Sequence, residues 1–384
     1  MVKTMLRQCL AIARREILLI WRDKDLRYIL LLGPLVGLLL FYGIYSRQVL
    51  VEIPTAIVDL DRSQTSQELI KNIGAAENLR ITTFAESYKE LEDLIAKGTV
   101  VTGIVIPENY GRDLSLARQT RLAMIIDGSN MIYATNATST MLSISRTLGA
   151  QAGIKTLIGR GIAPNQAQAA YQSVACSEEA WFNPTLNYAY FVVLALGLNM
   201  WQQCCTLVAC MTIAGETCAA SWCQLKSLGI SRLKLFISKS ATQIAAFIAA
   251  ALPVFFLAVM VFKLPLHCSL PLFFLFNLAF AVALHSVGVL ASSIARTPVN
   301  AARFGMLIAL PSFLLSGYTY PLESMPGLLQ TAAQALPQTW YFQGLNLLSF
   351  KNPDYALMSP NFLAFLLISA VCYATSAIIV AKKT

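Results

Sequence analysis

The sequence predicts an α-helical polytopic membrane protein with six transmembrane helices, an α/β extracytoplasmic domain and short reentrant helices before the last span. Three observations carry this. The 384 residues are 56% hydrophobic and 13% charged, with a mean hydropathy of +0.59, whereas soluble globular proteins carry about 25% charged residues. Several stretches exceed about 18 apolar residues, long enough to cross a core of about 30 Å at 1.5 Å per residue. One segment, 47–184, breaks that pattern, with 12 basic and 14 acidic residues.

The elements follow in order. Residues 1–27 read as a cytoplasmic amphipathic helix: Leu6, Leu10, Ala13, Ile17 and Ile20 fall at helical spacing with arginines between them. The first span, 28–46, is free of charge, and no small-residue cleavage site follows it, so it reads as a retained anchor. Gly33 and Gly37 form a G-x-x-x-G pair there, which permits close helix approach. The other spans read as 186–214, 240–262, 270–295, 301–320 and 360–381.

The 47–184 segment alternates in type. Strands are predicted at 53–61, at "NLRITTF", "TVVTGIVIP" and "TRLAMIIDGS", and helices at 63–74 (Ser63 capping, Gly74 stopping) and at "SYKELEDLIAKG". A long helix from Asn130 to about Gln172 is predicted to lead into the second span. Asp59 and Asp61 read as a turn-capping pair. No nucleophile–base pair, metal-ligand cluster or glycine-rich phosphate loop stands out. No catalytic residue and no metal site is expected, and no Walker A sequence occurs in the chain.

Charge sets the orientation. Fifteen basic residues lie in 1–27, in 226–239, at Arg296 and Arg303, and at Lys382 and Lys383, against Glu16, Asp23, Asp25 and Glu216. The opposite loops hold only Lys263 and Lys351, balanced by Glu323 and Asp354. The positive-inside rule puts both termini in the cytoplasm and 47–184 outside. The net charge of +9 then sits on the cytoplasmic rim, suited to anionic lipid headgroups and not to nucleic acid. The cysteines give no disulfide framework; Cys176 and Cys268 alone could meet outside.

Within the spans, Asn199, Gln202 and Gln203, Asn277 and His285 are costly in lipid and are expected to face the bundle interior, so Asn199, Gln202, Asn277 and His285 are candidates to line a substrate path. For His285 the ordinary reading is a hydrogen-bonded packing contact; the alternative is proton coupling. After the fifth apolar run comes "LSGYTYPLESMP" (315–326). Pro321 and Pro326 each remove a backbone donor and end or start a helix. "MPGLLQTAAQAL" then reads as a short amphipathic helix with Leu328, Leu329, Ala332 and Leu336 on one side, and Tyr318, Tyr320, Trp340 and Tyr341 suit a membrane interface.

The stretch "LLSGYTYPLESMPGLLQTAAQALPQTWYFQGL" (314–345) resembles the ABC-2 type exporter permeases, whose fifth span ends in a similar Ser-Gly, aromatic, Pro, Met-Pro phrase. Ser316, Gly317, Tyr318, Tyr320, Pro321, Glu323, Met325, Pro326 and Pro337 would form its outer gate, with reentrant helices at 321–345. "WFNPTLNYAYFVVLALGL" (181–198) resembles the phrase that opens the family's second span. "WCQLKSLGISRLKLFISK" (222–239) resembles its cytoplasmic loop, within a coupling segment 215–239. On that resemblance Glu216, Trp222, Gln224, Leu225, Lys226 and Leu228 would couple to an ATPase, although Cys223 and Leu228-Gly229 depart from the usual residues. "DLDRSQTSQELI", "IPENYGRDL" and "IIDGSN" resemble the large outside domain of one branch.

The resemblance implies the membrane subunit of an ATP-driven exporter in a bacterial inner membrane, moving an amphipathic or lipophilic substrate. It implies a separate cytoplasmic ATPase holding ATP and magnesium, with no cofactor in this chain. It also implies a homodimer or a heterodimer with a related permease, contact with membrane lipids, and in some systems a periplasmic adaptor. The alternative is a non-transporting anchor that presents a sensory or scaffold domain outside.

Overall fold

The computed structural model describes residues 2–46, 52–171, 181–184, 187–219, 221 and 231–383. It divides into two compact units, 47–179 and the remainder.

The 47–179 unit is built on a four-stranded sheet in the order β2-β1-β3-β4. The strands are β1 (Ile53–Asp59), β2 (Leu79–Phe84), β3 (Thr102–Ile106) and β4 (Ala123–Ile126). β1 pairs in parallel with β2 and β3, and β4 runs antiparallel to β3. Period-2 alternation sends Ile53 and Ile57 to one face and Ala56 and Val58 to the other. The first face is covered by Leu69, Ile70 and Ile73 of a helix at Gln64–Gly74, by Tyr110, and by Ala137 and Met141 of a helix at Met131–Gly159. The second face is covered by Leu91 of a helix at Tyr88–Ala96. Ser63 caps the Gln64–Gly74 helix through its hydroxyl, which accepts from Ser66 N at 3.1 Å.

Two sequence expectations change here. The long helix stops at Gly159 and turns through Gly161, whose φ of +87° suits glycine, before a short helix at Pro164–Tyr171. A helix at Tyr110–Ser115 was not anticipated. Asp59 and Asp61 do cap turns: Asp59 Oδ1 accepts from Asp61 N and Arg62 N at 3.1 and 3.0 Å, and Asp61 Oδ2 accepts from Gly111 N at 3.0 Å.

The other unit holds six helices long and apolar enough to cross a membrane among the described residues: Lys24–Ile44, Tyr188–Cys218, Arg232–Val261, Leu270–Ile294, Pro298–Leu315 and Tyr355–Lys382. They are called spans one to six below. An amphipathic helix, α1 (Val2–Arg22), precedes span one. It breaks at Asp23, whose carboxylate accepts from Asp25 N and Leu26 N, so 1–27 is not one continuous helix. Span five ends at Leu315, not at Tyr320.

The core is made by spans two and four, which are mostly buried. Glycines let the backbones close up. A Cβ at Gly33 would lie 2.6 Å from Cys204 Sγ, and one at Gly37 would lie 2.6 Å from Met200 Cγ. The G-x-x-x-G pair therefore packs span one on span two of the same chain. Gly288 of span four likewise meets Ala209 of span two.

Candidate functional site

The segment after span five is pinned back onto the bundle. Gly317, at φ +80°, ends the helical run; a Cβ there would meet Leu322 Cγ at 2.7 Å. The next residue, Tyr318, stacks on Phe191 of span two at 4.7 Å and donates its hydroxyl hydrogen bond to Phe191 O. Ser316 Oγ donates to Phe313 O at 2.6 Å. Pro321 precedes a 3₁₀ turn at Leu322–Ser324, which includes Glu323. Met325 and Pro326 lead into a helix at Gly327–Gln334, and Pro337 is the first residue of a helix at Pro337–Phe350. Each proline thus stands where a helix begins, a position at which its missing N–H leaves no bond unmade.

Two details differ from the sequence reading. The Gly327–Gln334 helix ends before Leu336; within it Leu328, Leu329 and Ala332 share the exposed side and Ala333 turns inward. Tyr320 is exposed, but Tyr341 is at the centre of the core and not at an interface. Its ring stacks between Phe280 at 3.8 Å and Phe276 at 5.4 Å, and its hydroxyl donates to Asn277 Oδ1 at 2.8 Å. A phenol with a partner for its one polar atom is well placed in a core.

Of the polar residues expected inside the spans, Gln202, Asn277 and His285 are buried and Asn199 and Gln203 half-buried; two polar groups result. In the first, Gln202 and Gln338 are fully buried. Gln202 Nε2 donates to Asn199 Oδ1 at 3.0 Å and to Ala309 O at 3.2 Å, and Gln338 Nε2 donates to Gln202 Oε1 at 3.1 Å. These bonds tie span two to span five and to the Pro337–Phe350 helix. Gln338 Oε1 is buried and accepts no hydrogen bond. In the second group, His285 lies between Gln243 Oε1 (Nε2, 3.1 Å) and Tyr373 Oη (Nδ1, 2.9 Å), and Thr212 Oγ1 donates to the same Gln243 oxygen at 2.8 Å. That network joins spans two, three, four and six. Asn277 is a core contact beside Tyr341, its Nδ2 donating to Phe273 O at 2.8 Å.

Where α1 meets spans two and three, four charges are brought together. Arg15 grips Glu216 with both nitrogens, Nη1 to Oε1 at 2.9 Å and Nη2 to Oε2 at 3.0 Å. Lys239 Nζ donates to Glu216 Oε1 at 2.6 Å and lies 3.3 Å from Glu16 Oε1. Arg15 also reaches Glu16 at 3.3 Å, and Ser221 Oγ donates to Glu216 Oε2. Glu16, Glu216 and Lys239 are 2%, 3% and 6% exposed, so Glu216 presents no carboxylate to a partner surface. Burial raises the Glu16 carboxyl above its ordinary value, against the pull of Lys239. The hydrogen bonds to Glu216 raise Arg15, so it stays charged.

The other coupling candidates, Trp222, Gln224, Leu225, Lys226 and Leu228, lie outside the described residues, as does Cys176. Sequence reasoning missed Arg15, Lys239, Gln243, Gln338 and Tyr373 as contributors. One signal was legible: Glu16 is the sole acid among the first 22 residues, on a helix otherwise rich in arginine. Among the described residues no three His, Cys, Asp or Glu side chains are grouped as a metal site.

A profile of the ABC-2 family transporter proteins matches residues 24–378. The chain belongs to that family. Its members are permease subunits of ABC transporters, which pair with a separate ATPase and are not themselves enzymes. The permease is 24% identical over 317 residues to the Escherichia coli K12 protein named probable multidrug ABC transporter permease YbhR, covering 83% of each chain. It is 23% identical over 370 residues to the probable multidrug ABC transporter permease YbhS of the same organism, covering 96% of this chain and 94% of YbhS. It is 22% identical over 337 residues to the inner membrane transport permease YhhJ, covering 86% and 85%.

Proposed function

We propose that the permease forms the pathway of an ATP-driven exporter that moves an amphipathic or lipophilic substrate out of the cytoplasm or inner leaflet. Two permeases, identical or related, would work with two copies of a cytoplasmic ATPase that holds ATP and magnesium. Both termini would be cytoplasmic and the 47–179 unit outside, where an adaptor could dock. The observation that carries the reading is the amide group of Asn199, Gln202 and Gln338, of which Gln202 and Gln338 are fully buried and Gln202 bonds Ala309 of span five. An apolar bundle has no packing need for an acceptor left without a donor, such as Gln338 Oε1. Amide oxygens and nitrogens set within an apolar bundle suit a molecule that is mostly apolar with a few polar groups. The names of YbhR and YbhS, both probable multidrug permeases, support the same class.

The test is accumulation in a deletion strain across lipophilic cations, bile-salt-like anions and lipids, with the gene restored or carrying Gln338→Leu. Restored cells should retain less of at least one compound, and Gln338→Leu, inserted at equal level, should alter which compounds are expelled. Equal accumulation of the whole panel with and without the gene sinks the export reading.

A further inference from the structure

We propose that α1 carries a binding site for an anionic phospholipid. The proposal rests on the reading above that α1 lies along the cytoplasmic membrane surface. Arg7, Leu10, Ala11, Arg14, Arg15 and Leu18 recur at helical spacing and line an open groove of about 390 Å³ on the helix. The opposite face, with Ile12 and Glu16, is buried on the bundle. The outward face is mixed in an informative way. Leu10 is 72% exposed and Trp21 59%, more apolar surface than a helix in bulk water favours. Arg7 and Arg14 are exposed as well, and a helix within hydrocarbon would not carry them. Only the headgroup zone suits both.

The arginines have no internal use. Among the described residues neither Arg7 nor Arg14 joins an ion pair. Each offers a planar fork that matches a phosphodiester oxygen pair. Leu10 and Leu18 lie on the same groove to receive the glycerol end of acyl chains, which argues for a lipid over a free phosphate. Net charge then selects among lipids. Zwitterionic headgroups carry their own cation, so the unpaired arginines favour an anionic one. The occupant would adjoin Arg15, whose guanidinium holds Glu216, and so would bear on the ion cluster at the end of span two.

The experiment uses the full chain in nanodiscs of phosphatidylcholine and phosphatidylglycerol, with retained lipids counted by native mass spectrometry after partial delipidation. Wild-type protein should retain phosphatidylglycerol selectively. Arg7→Gln with Arg14→Gln should lower that preference about 25-fold, from about fivefold per arginine. Leu10→Ser with Leu18→Ser should also lower it, and added inorganic phosphate should leave the lipid bound. Arg118→Gln with Arg121→Gln, exposed residues of the other unit, should keep the wild-type preference. An unselective wild type, an unchanged preference in the arginine pair, or full displacement by phosphate overturns the proposal. Lipid retention is read without transport. Selective retention in a protein that exports nothing therefore sinks the export reading and leaves this one standing.

Discussion

Replacing Glu216 with glutamine tests whether the buried charges hold the N-terminal helix to the bundle. Arg15, Lys239, Glu16 and Glu216 sum to zero charge, and Glu216 accepts from both cations. Glu216→Gln leaves two cations facing Glu16 alone, with the Lys239 side chain only 7% exposed. Removing one partner of a buried ion pair costs about 3–5 kcal/mol, because the remaining charge has no compensation. Arg15 is 32% exposed and water relieves part of its share, so about 3 kcal/mol is expected. The assay is reversible denaturant unfolding of the purified permease in detergent. Adding Lys239→Met to Glu216→Gln restores neutrality and should recover more than half of the loss. A Glu216→Gln protein within about 0.5 kcal/mol of wild type, or a double variant no better than the single one, refutes the clamp.

Four further outcomes follow, three from the structure and one, at Leu225, from the coupling segment read in the sequence. Burial raises the Glu16 carboxyl, so its contribution is fully present below the ordinary carboxylate value and is lost as pH rises through the raised one. Glu16→Gln should remove that decline, measured as stability against pH; an unchanged pH profile contradicts it. Gly37→Val places carbon against Met200 and should cost about 1–3 kcal/mol by overpacking; unaltered thermal stability would show that spans one and two separate easily. Tyr341→Phe strands Asn277 Oδ1 in the core and should cost about 1–3 kcal/mol with the fold retained, checked by unfolding in detergent. Leu225→Asp should leave the permease inserted but lose the co-purifying ATPase and export; an ATPase that stays bound and drives transport rules out Leu225 as an anchor.

Much of the permease was legible because hydrocarbon imposes a simple rule. A backbone in lipid must satisfy its own hydrogen bonds, so length and hydropathy suffice to find helices. Six spans emerge from the sequence with boundaries moved by a few residues, and by eight at the start of span three, because Asp23, Asn187, Ser231 and Thr297 cap the helices where charge alone gives no edge. The strands at 53, 79, 102 and 123 were legible from short apolar runs, the one at 102 as a buried strand, and Pro321, Pro326 and Pro337 from the helix starts they favour. The long helix was overrun at Gly159, although Gly161 and Pro164 mark the turn that ends it.

Partnership was not legible. Tyr341 looks interfacial because a phenol is amphipathic, and only the fold supplies Asn277 to satisfy its hydroxyl inside the core. Gln202 reads as a lone amide until Gln338, 136 residues away, is folded onto it. Glu216 reads as an exposed acid at a loop until Arg15 and Lys239 close around it. Composition and periodicity report what each residue costs to bury. Which distant side chain lowers that cost is decided by helix packing, and no single segment of the chain records it.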